Sequence, residues 1–163
     1  MKRSEAREQA FTLIFERSFR EEPIEEMIAQ ATEGRQIEVD EFARRLAALA
    51  FERLDAIDQV IQKYSIKWNI NRLPKVTLAI LRLAICEIDG MEDIPVSVTI
   101  NEAVELAKKF ASEDDASFIN GLLGAYVHSK DKARVRSKAH AILSRYRYQQ
   151  LHHLGGAVQQ RHK

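Results

Sequence analysis

Between Leu73 and Ile88 the apolar residues are nearly continuous: Val76, Leu78, Ile80, Leu81, Leu83, Ala84, Ile85 and Ile88. The run is short of the roughly 20 apolar residues that span a bilayer. A helix that is apolar on most sides has to sit in the middle of a fold, with other elements covering each face. Pro74 suits its first turn, where the missing N–H costs nothing, and Gly90 suits its exit. Arg82 and Glu87 interrupt the run. Charges on such a helix need partners if buried, so an ion pair or hydrogen-bonded support is expected of them, not catalysis.

The rest of the chain supplies helices to surround this one. Only three prolines and six glycines occur, and alternating β-branched runs are few, which favours an all-α fold. The spacing predicts a first helix from a Ser4 cap, with Ala10, Phe11, Leu13 and Ile14 inward, broken at Glu21-Glu22-Pro23. Ile24 to Ala31 makes a short amphipathic segment ended by Gly34, and Asp40 caps a third helix carrying Phe42, Leu46, Leu49 and Ala50. Ile57, Val60, Ile61 and Tyr64 follow at i, i+3, i+4, i+7. Ser65 to Arg72, with Trp68, is a connection. After Pro95 come a stripe of Ile100, Ala103, Val104 and Ala107, with Asn101 a capping candidate, and then Phe118, Ile119, Leu122, Leu123 and Tyr126 behind a Ser112–Asp115 cap. The expected architecture is a compact bundle of about seven helices with a basic C-terminal extension. Val135, Ala139, Ile142 and Tyr146 allow one more helix there, with disorder expected after Leu154 at Gly155-Gly156.

Charge divides the chain at about residue 130. Residues 131–163 carry eight Lys or Arg against one Asp, a net of +7. The whole chain carries +1, so residues 1–130 carry −6. A domain at 1–130 and a basic tail at 131–163 follow; such a tail suits a nucleic acid or an anionic surface, or is simply solvated. The single cysteine, Cys86, lies in the apolar helix and reads as a buried thiol in a reducing compartment. The charged N-terminus has no apolar stretch behind it, so a cytoplasmic protein without membrane association is expected. No glycine-rich phosphate loop and no metal-spaced Cys and His set occurs, and His152-His153 are adjacent in the tail. No enzyme activity, cofactor or metal is expected.

Several segments then become specific. Leu81-Arg82-Leu83-Ala84-Ile85-Cys86-Glu87-Ile88, Asp93-Ile94-Pro95, the string INEAVELAKKF at 100–110 and FINGLL at 118–123 closely resemble the NusB family, as does Ala6-Arg7-Glu8 near the start. The resemblance covers roughly residues 1–130. It implies an all-α fold of two helical subdomains and a transcription antitermination factor. That factor would pair with the ribosomal protein NusE, hold boxA-type single-stranded RNA, join the transcription elongation complex and support ribosomal RNA synthesis.

The resemblance also points to residues. Lys2, Arg3 and Arg7 match the family's arginine-rich RNA-meeting start, thinned here by Ser4 and Glu5. Phe15 and Tyr64 match aromatic positions that meet RNA, and Asp114, Ser117 and Phe118 match an RNA-facing turn and helix start. Lys75 and Thr77, opening the central helix, match the NusE-facing surface. Each has an ordinary structural alternative: a solvated helix face for the cations, core packing for the aromatics, and a helix-start acid favoured by the macrodipole for Asp114. Two other functions stay open, an accessory domain of an RNA methyltransferase and a protein-interaction module without strong RNA binding. A homodimer is also left open.

Overall fold

A computed structural model describes residues 1–160. Among these residues the chain is all-helical. The elements are α1 (Arg3–Arg17), α2 (Ile24–Arg35), α3 (Glu41–Glu52), α4 (Leu54–Tyr64), a single 3-10 turn (Ile70–Arg72), α5 (Lys75–Gly90), α6 (Val96–Phe110) and α7 (Glu113–Gln160). The chain divides into two compact units, Met1–Tyr126 and a second from Val127 onward. None of the described helices is long and apolar enough to cross a membrane.

In the first unit α5 packs against α1, α3, α4 and α6, while α2 packs on α1 and α3. Every residue from Thr77 to Ile88 is buried, as the apolar run requires. Ile80, Leu81 and Ile85 have no exposed surface, and each such side chain contributes roughly 1.5–3 kcal/mol on burial. Two charges sit inside this packing. The Arg7 Nε donates to Glu87 Oε1 at 2.7 Å, with the side chains 5% and 1% exposed. The Arg82 guanidinium meets both oxygens of Asp58 at 2.8 Å and reaches Ser18 Oγ at 3.4 Å. Both interruptions of the apolar run are thus partnered, one from α1 and one from α4. Cys86 is buried, with its Sγ donating to the Leu46 carbonyl at 3.6 Å.

Helix ends follow local chemistry, with some departures from the sequence expectation. Asp40 accepts from the Phe42 N–H at 2.8 Å and caps α3 as expected. Ser4 does not cap α1: the helix starts at Arg3, behind Lys2, without a side-chain cap. Gly34 lies inside the last turn of α2, and Gln36 takes the left-handed conformation (φ 52°) that glycine was expected to supply. Asn101 is well inside α6, which starts directly after Pro95. Before α7 the Ser112 Oγ accepts from the Asp115 N–H at 3.1 Å and donates to the Asp115 carboxylate at 2.6 Å, so the reciprocal bond of a capping box is replaced by a side-chain pair. Helix α7 includes Gly155 and Gly156, and residues 161–163 lie outside the described part.

The pairing of Arg7 with Glu87 gives a direct expectation. Removing one partner leaves a buried charge alone, which costs about 3–5 kcal/mol. Glu87→Ala should therefore lower stability by that amount in urea denaturation. A combined Arg7→Met, Glu87→Leu variant should recover most of the loss, because no charge is left without its counterpart.

A candidate nucleic-acid interface

Two separate places hold most of the residues the sequence singles out. The first is the start of α1. Lys2 and Arg3 are exposed there, and the Arg3 guanidinium lies 4.1 Å from the centre of the Phe42 ring. An arginine placed over an aromatic face can still offer N–H groups to phosphate. Arg7 sits deeper, 5.7 Å from the same ring and bound to Glu87. It is 4% exposed, so its charge serves the fold and is not offered at the surface. Phe15 lies apart from these cations, in the last turn of α1, half-buried in an aromatic row, 6.0 Å from Phe11 and edge-on to Phe19 at 5.1 Å. Phe11 in turn stacks on Phe110 at 5.2 Å.

The second place is a groove between the α4–α5 connection and the first turns of α7. Two hollows of about 370 and 290 Å³ share Trp68 and Phe118 as a common wall. Tyr64, Lys67 and Ser117 line the smaller one, and Arg72 and Asp114 the larger. The connection is shaped by its own polar groups. Ser65 Oγ donates to the Trp68 carbonyl at 2.8 Å, Gln62 Oε1 accepts from the Ile70 N–H at 2.9 Å, and Asn69 Oδ1 accepts from the Asn71 N–H at 2.9 Å. With these bonds satisfied inside the turn, Trp68 stands 52% exposed and Ile66 94%. Tyr64 is half-buried, edge-on to Tyr126 at 5.7 Å. The Tyr126 hydroxyl donates to the Asp89 carboxylate at 2.7 and 2.8 Å. Burial, and then this bond, push the Tyr126 phenol above its ordinary value.

The structure thus brings Tyr64, Asp114, Ser117 and Phe118 to one groove and leaves Lys2, Arg3 and Phe15 elsewhere. Thr77 is a correction. It has no exposed surface and its hydroxyl donates to Asp115 Oδ1 at 3.2 Å. It therefore ties α5 to α7 and cannot face a partner, whereas Lys75, directly after Pro74, is exposed. Asp115 is engaged by Thr77 and Ser112, but Asp114 is exposed on the groove wall. Gly121 has open space where a Cβ would stand, so close helix packing does not explain it. Trp68, Lys67, Arg72 and the Phe42 platform were not picked out in the sequence. The signal for the first two was an apolar, cationic and aromatic triplet, Ile66-Lys67-Trp68, inside a connector that otherwise needs only polar residues. Among the described residues there is no cluster of His, Cys, Asp and Glu able to hold a metal ion.

A helical body with a groove lined by the exposed Trp68 and the half-buried Tyr64 and Phe118, flanked by cations, has the features of a protein that handles unstacked bases. A sequence model of the NusB family matches residues 4–128. The transcription antitermination protein NusB of Natranaerobius thermophilus is 40% identical over 139 residues, covering 82% of this chain and all of that protein. That of Clostridium acetobutylicum is 40% identical over 134 residues, covering 81% and 99%. The solved structure of T. maritima NusB superimposes with a TM-score of 0.69 at 35% identity, covering 77% of this chain and 89% of that one. A structure of antitermination factors NusB and NusE in complex with double-stranded RNA superimposes with a TM-score of 0.67 at 29% identity, covering 76% and 93%. The chain belongs to the NusB family.

Two buried acids, Cys86 and Tyr126, give a pH expectation. Burial raises the Cys86 thiol from 9.0 to about 12, and Tyr126 is raised from 10.0. The folded state then holds protons that the unfolded chain releases first, so stability falls as pH rises through the ordinary values of the two groups. The melting temperature should drop progressively above about pH 9, and Tyr126→Phe should make the decline shallower.

Proposed function

We propose that this chain is a transcription antitermination factor that holds boxA-type single-stranded RNA together with NusE, within the transcription elongation complex, in support of ribosomal RNA synthesis. The observation that carries the proposal is the groove in which Tyr64, Trp68 and Phe118 stand beside Lys67 and Arg72. Single-stranded RNA presents bases that stack on flat side chains and phosphates that pair with cations. Tyr64, held edge-on by Tyr126, and the half-exposed Trp68 supply the stacking faces. Asp114 and Ser117 on the same walls accept hydrogen bonds from base amino groups. Lys2 and Arg3 act at a separate position as phosphate contacts, with Arg3 steadied by Phe42. Phe15 belongs to this reading as an aromatic contact on α1.

Family membership and the likeness to NusB bound to NusE and RNA support the same function. The net charge of −6 over residues 1–130 explains why a partner would be needed: an acidic body repels phosphate, and a second protein adds contact area and cations. Lys75 at the start of α5 is the NusE-facing residue retained in this proposal. It is a binding function with no catalytic step, exercised in the cytoplasm.

RNA titration with and without NusE tests it. The pair should bind boxA RNA more tightly than the chain alone, with affinity falling as salt rises. Trp68→Ala and Tyr64→Ala should each weaken binding by about 1–3 kcal/mol, the usual worth of one stacked base, while thermal melting of the Trp68 variant stays unchanged. Equal binding of boxA and scrambled RNA by the pair would sink the sequence-specific function. Melting of the fold by Tyr64→Ala would mark that ring as core.

A further inference from the structure

The family match ends at residue 128, and the part of α7 beyond it has a character of its own. Every residue from Asp131 to His152 is exposed. That span carries six Lys or Arg and a single acid, Asp131. Its apolar side chains are as open as its charges: Val135 is 65% exposed, Ile142 66% and Tyr146 60%. Exposed side chains of this size on a strongly cationic helix call for an anionic occupant with apolar faces.

The spacing distinguishes among such occupants. Val135, Ala139, Ile142 and Tyr146 follow one another at steps of four, three and four, so they share one stripe. A seam between two copies of the helix needs about three to four heptads. This stripe spans fewer than two and runs out at Gln149-Gln150. A membrane surface receives one face of a helix lying in its plane. Tyr148 and Tyr146 lie about 200° apart around the helix axis, and both are exposed, at 65% and 60%, so one flat surface cannot take both. A flexible strand that winds around the helix can. The run Arg145-Tyr146-Arg147-Tyr148 alternates a phosphate-pairing group with a stacking face, and the Tyr148 ring is steadied edge-on by His152 at 4.3 Å.

We propose that residues 131–152 form a further RNA-binding surface, which takes single-stranded RNA without sequence preference. The six Lys and Arg pair with phosphates, and Tyr146 and Tyr148 stack on bases. The inference extends the proposed RNA function to a segment outside the family match, and it stands on the charge and aromatic pattern of that segment alone. It adds affinity for any strand, whereas the groove would supply the preference for one sequence.

The experiment uses the full chain in three forms: unchanged, with all six cations replaced by Gln, and with Tyr146→Ala plus Tyr148→Ala. Each is titrated with radiolabelled oligouridylate over a salt series, with phosphatidylserine vesicles, and, in the presence of NusE, with boxA and scrambled RNA. Gln keeps the helix propensity of the cations, and circular dichroism checks that helicity is retained. The Gln form should lose at least about 10-fold in oligouridylate affinity, with the slope of log affinity against log salt falling by up to about 4, since each phosphate contact on a single strand contributes roughly 0.7. The tyrosine form should lose about 10-fold or more with the slope retained. Both forms should keep whatever preference for boxA over scrambled RNA the unchanged chain shows, which separates this inference from the groove. Unchanged oligouridylate affinity and slope in the Gln form would overturn it. So would tighter binding of the unchanged chain to the vesicles than to the oligouridylate, or a dimer in sedimentation that the tyrosine form abolishes.

Discussion

Burial of α5 from Thr77 to Ile88 is the constraint from which the first unit is built. A helix with its residues from Thr77 to Ile88 all inside must be covered on every side, and α1, α3, α4 and α6 are the cover. The charges on that helix then decide how the cover is seated. The Glu87 carboxylate accepts from Arg7 of α1, and Arg82 grips Asp58 of α4 with two parallel bonds. Apolar contact is tolerant of small rotations, but a bidentate guanidinium–carboxylate pair is not. The two ion pairs therefore set the register of α1 and α4 on the central helix. The turn after α4 and the exposed start of α1, where the candidate contacts lie, inherit their positions from that register.

The groove shows how structural economy produces a binding surface. Gln62, Ser65 and Asn69 each commit a side-chain oxygen to holding the turn. Beside them Ile66, Lys67, Trp68 and Arg72 face outward. On the opposite wall Asp115 is spent on Thr77 and Ser112, leaving Asp114 as the exposed acid beside Phe118. The pairing of one occupied and one open carboxylate at neighbouring positions would let the same helix start serve the fold and a ligand.

Much of the fold was legible because it rests on periodicity. The apolar run at 73–88 demanded a central helix, and the spacing around it supplied the others. The buried partners of Arg82 and Glu87 were expected as a kind, but Asp58 and Arg7 could not be named, since such pairs join residues far apart in sequence: 24 positions in one case and 80 in the other. For the same reason Arg7 looked like one more surface cation of α1 in the sequence, and Thr77 like an exposed residue of a helix start. Both face inward because α1 and α7 approach α5 at those points. Helix ends were less legible than helix middles. Ser4 and Gly34 carry the right chemistry for caps, yet Lys2 and Gln36 occupy the positions. Trp68 was hidden for a different reason: within a connector nothing periodic says which way a side chain points.

That tryptophan is the only one in the chain. Its indole stands half in solvent on the wall shared by both hollows of the groove. The molecule therefore carries a built-in optical reporter at the place where a base would stack. Any change in its emission wavelength or intensity belongs to that wall, undiluted by signals from the core, and the occupancy of the groove can be followed in the unlabelled protein.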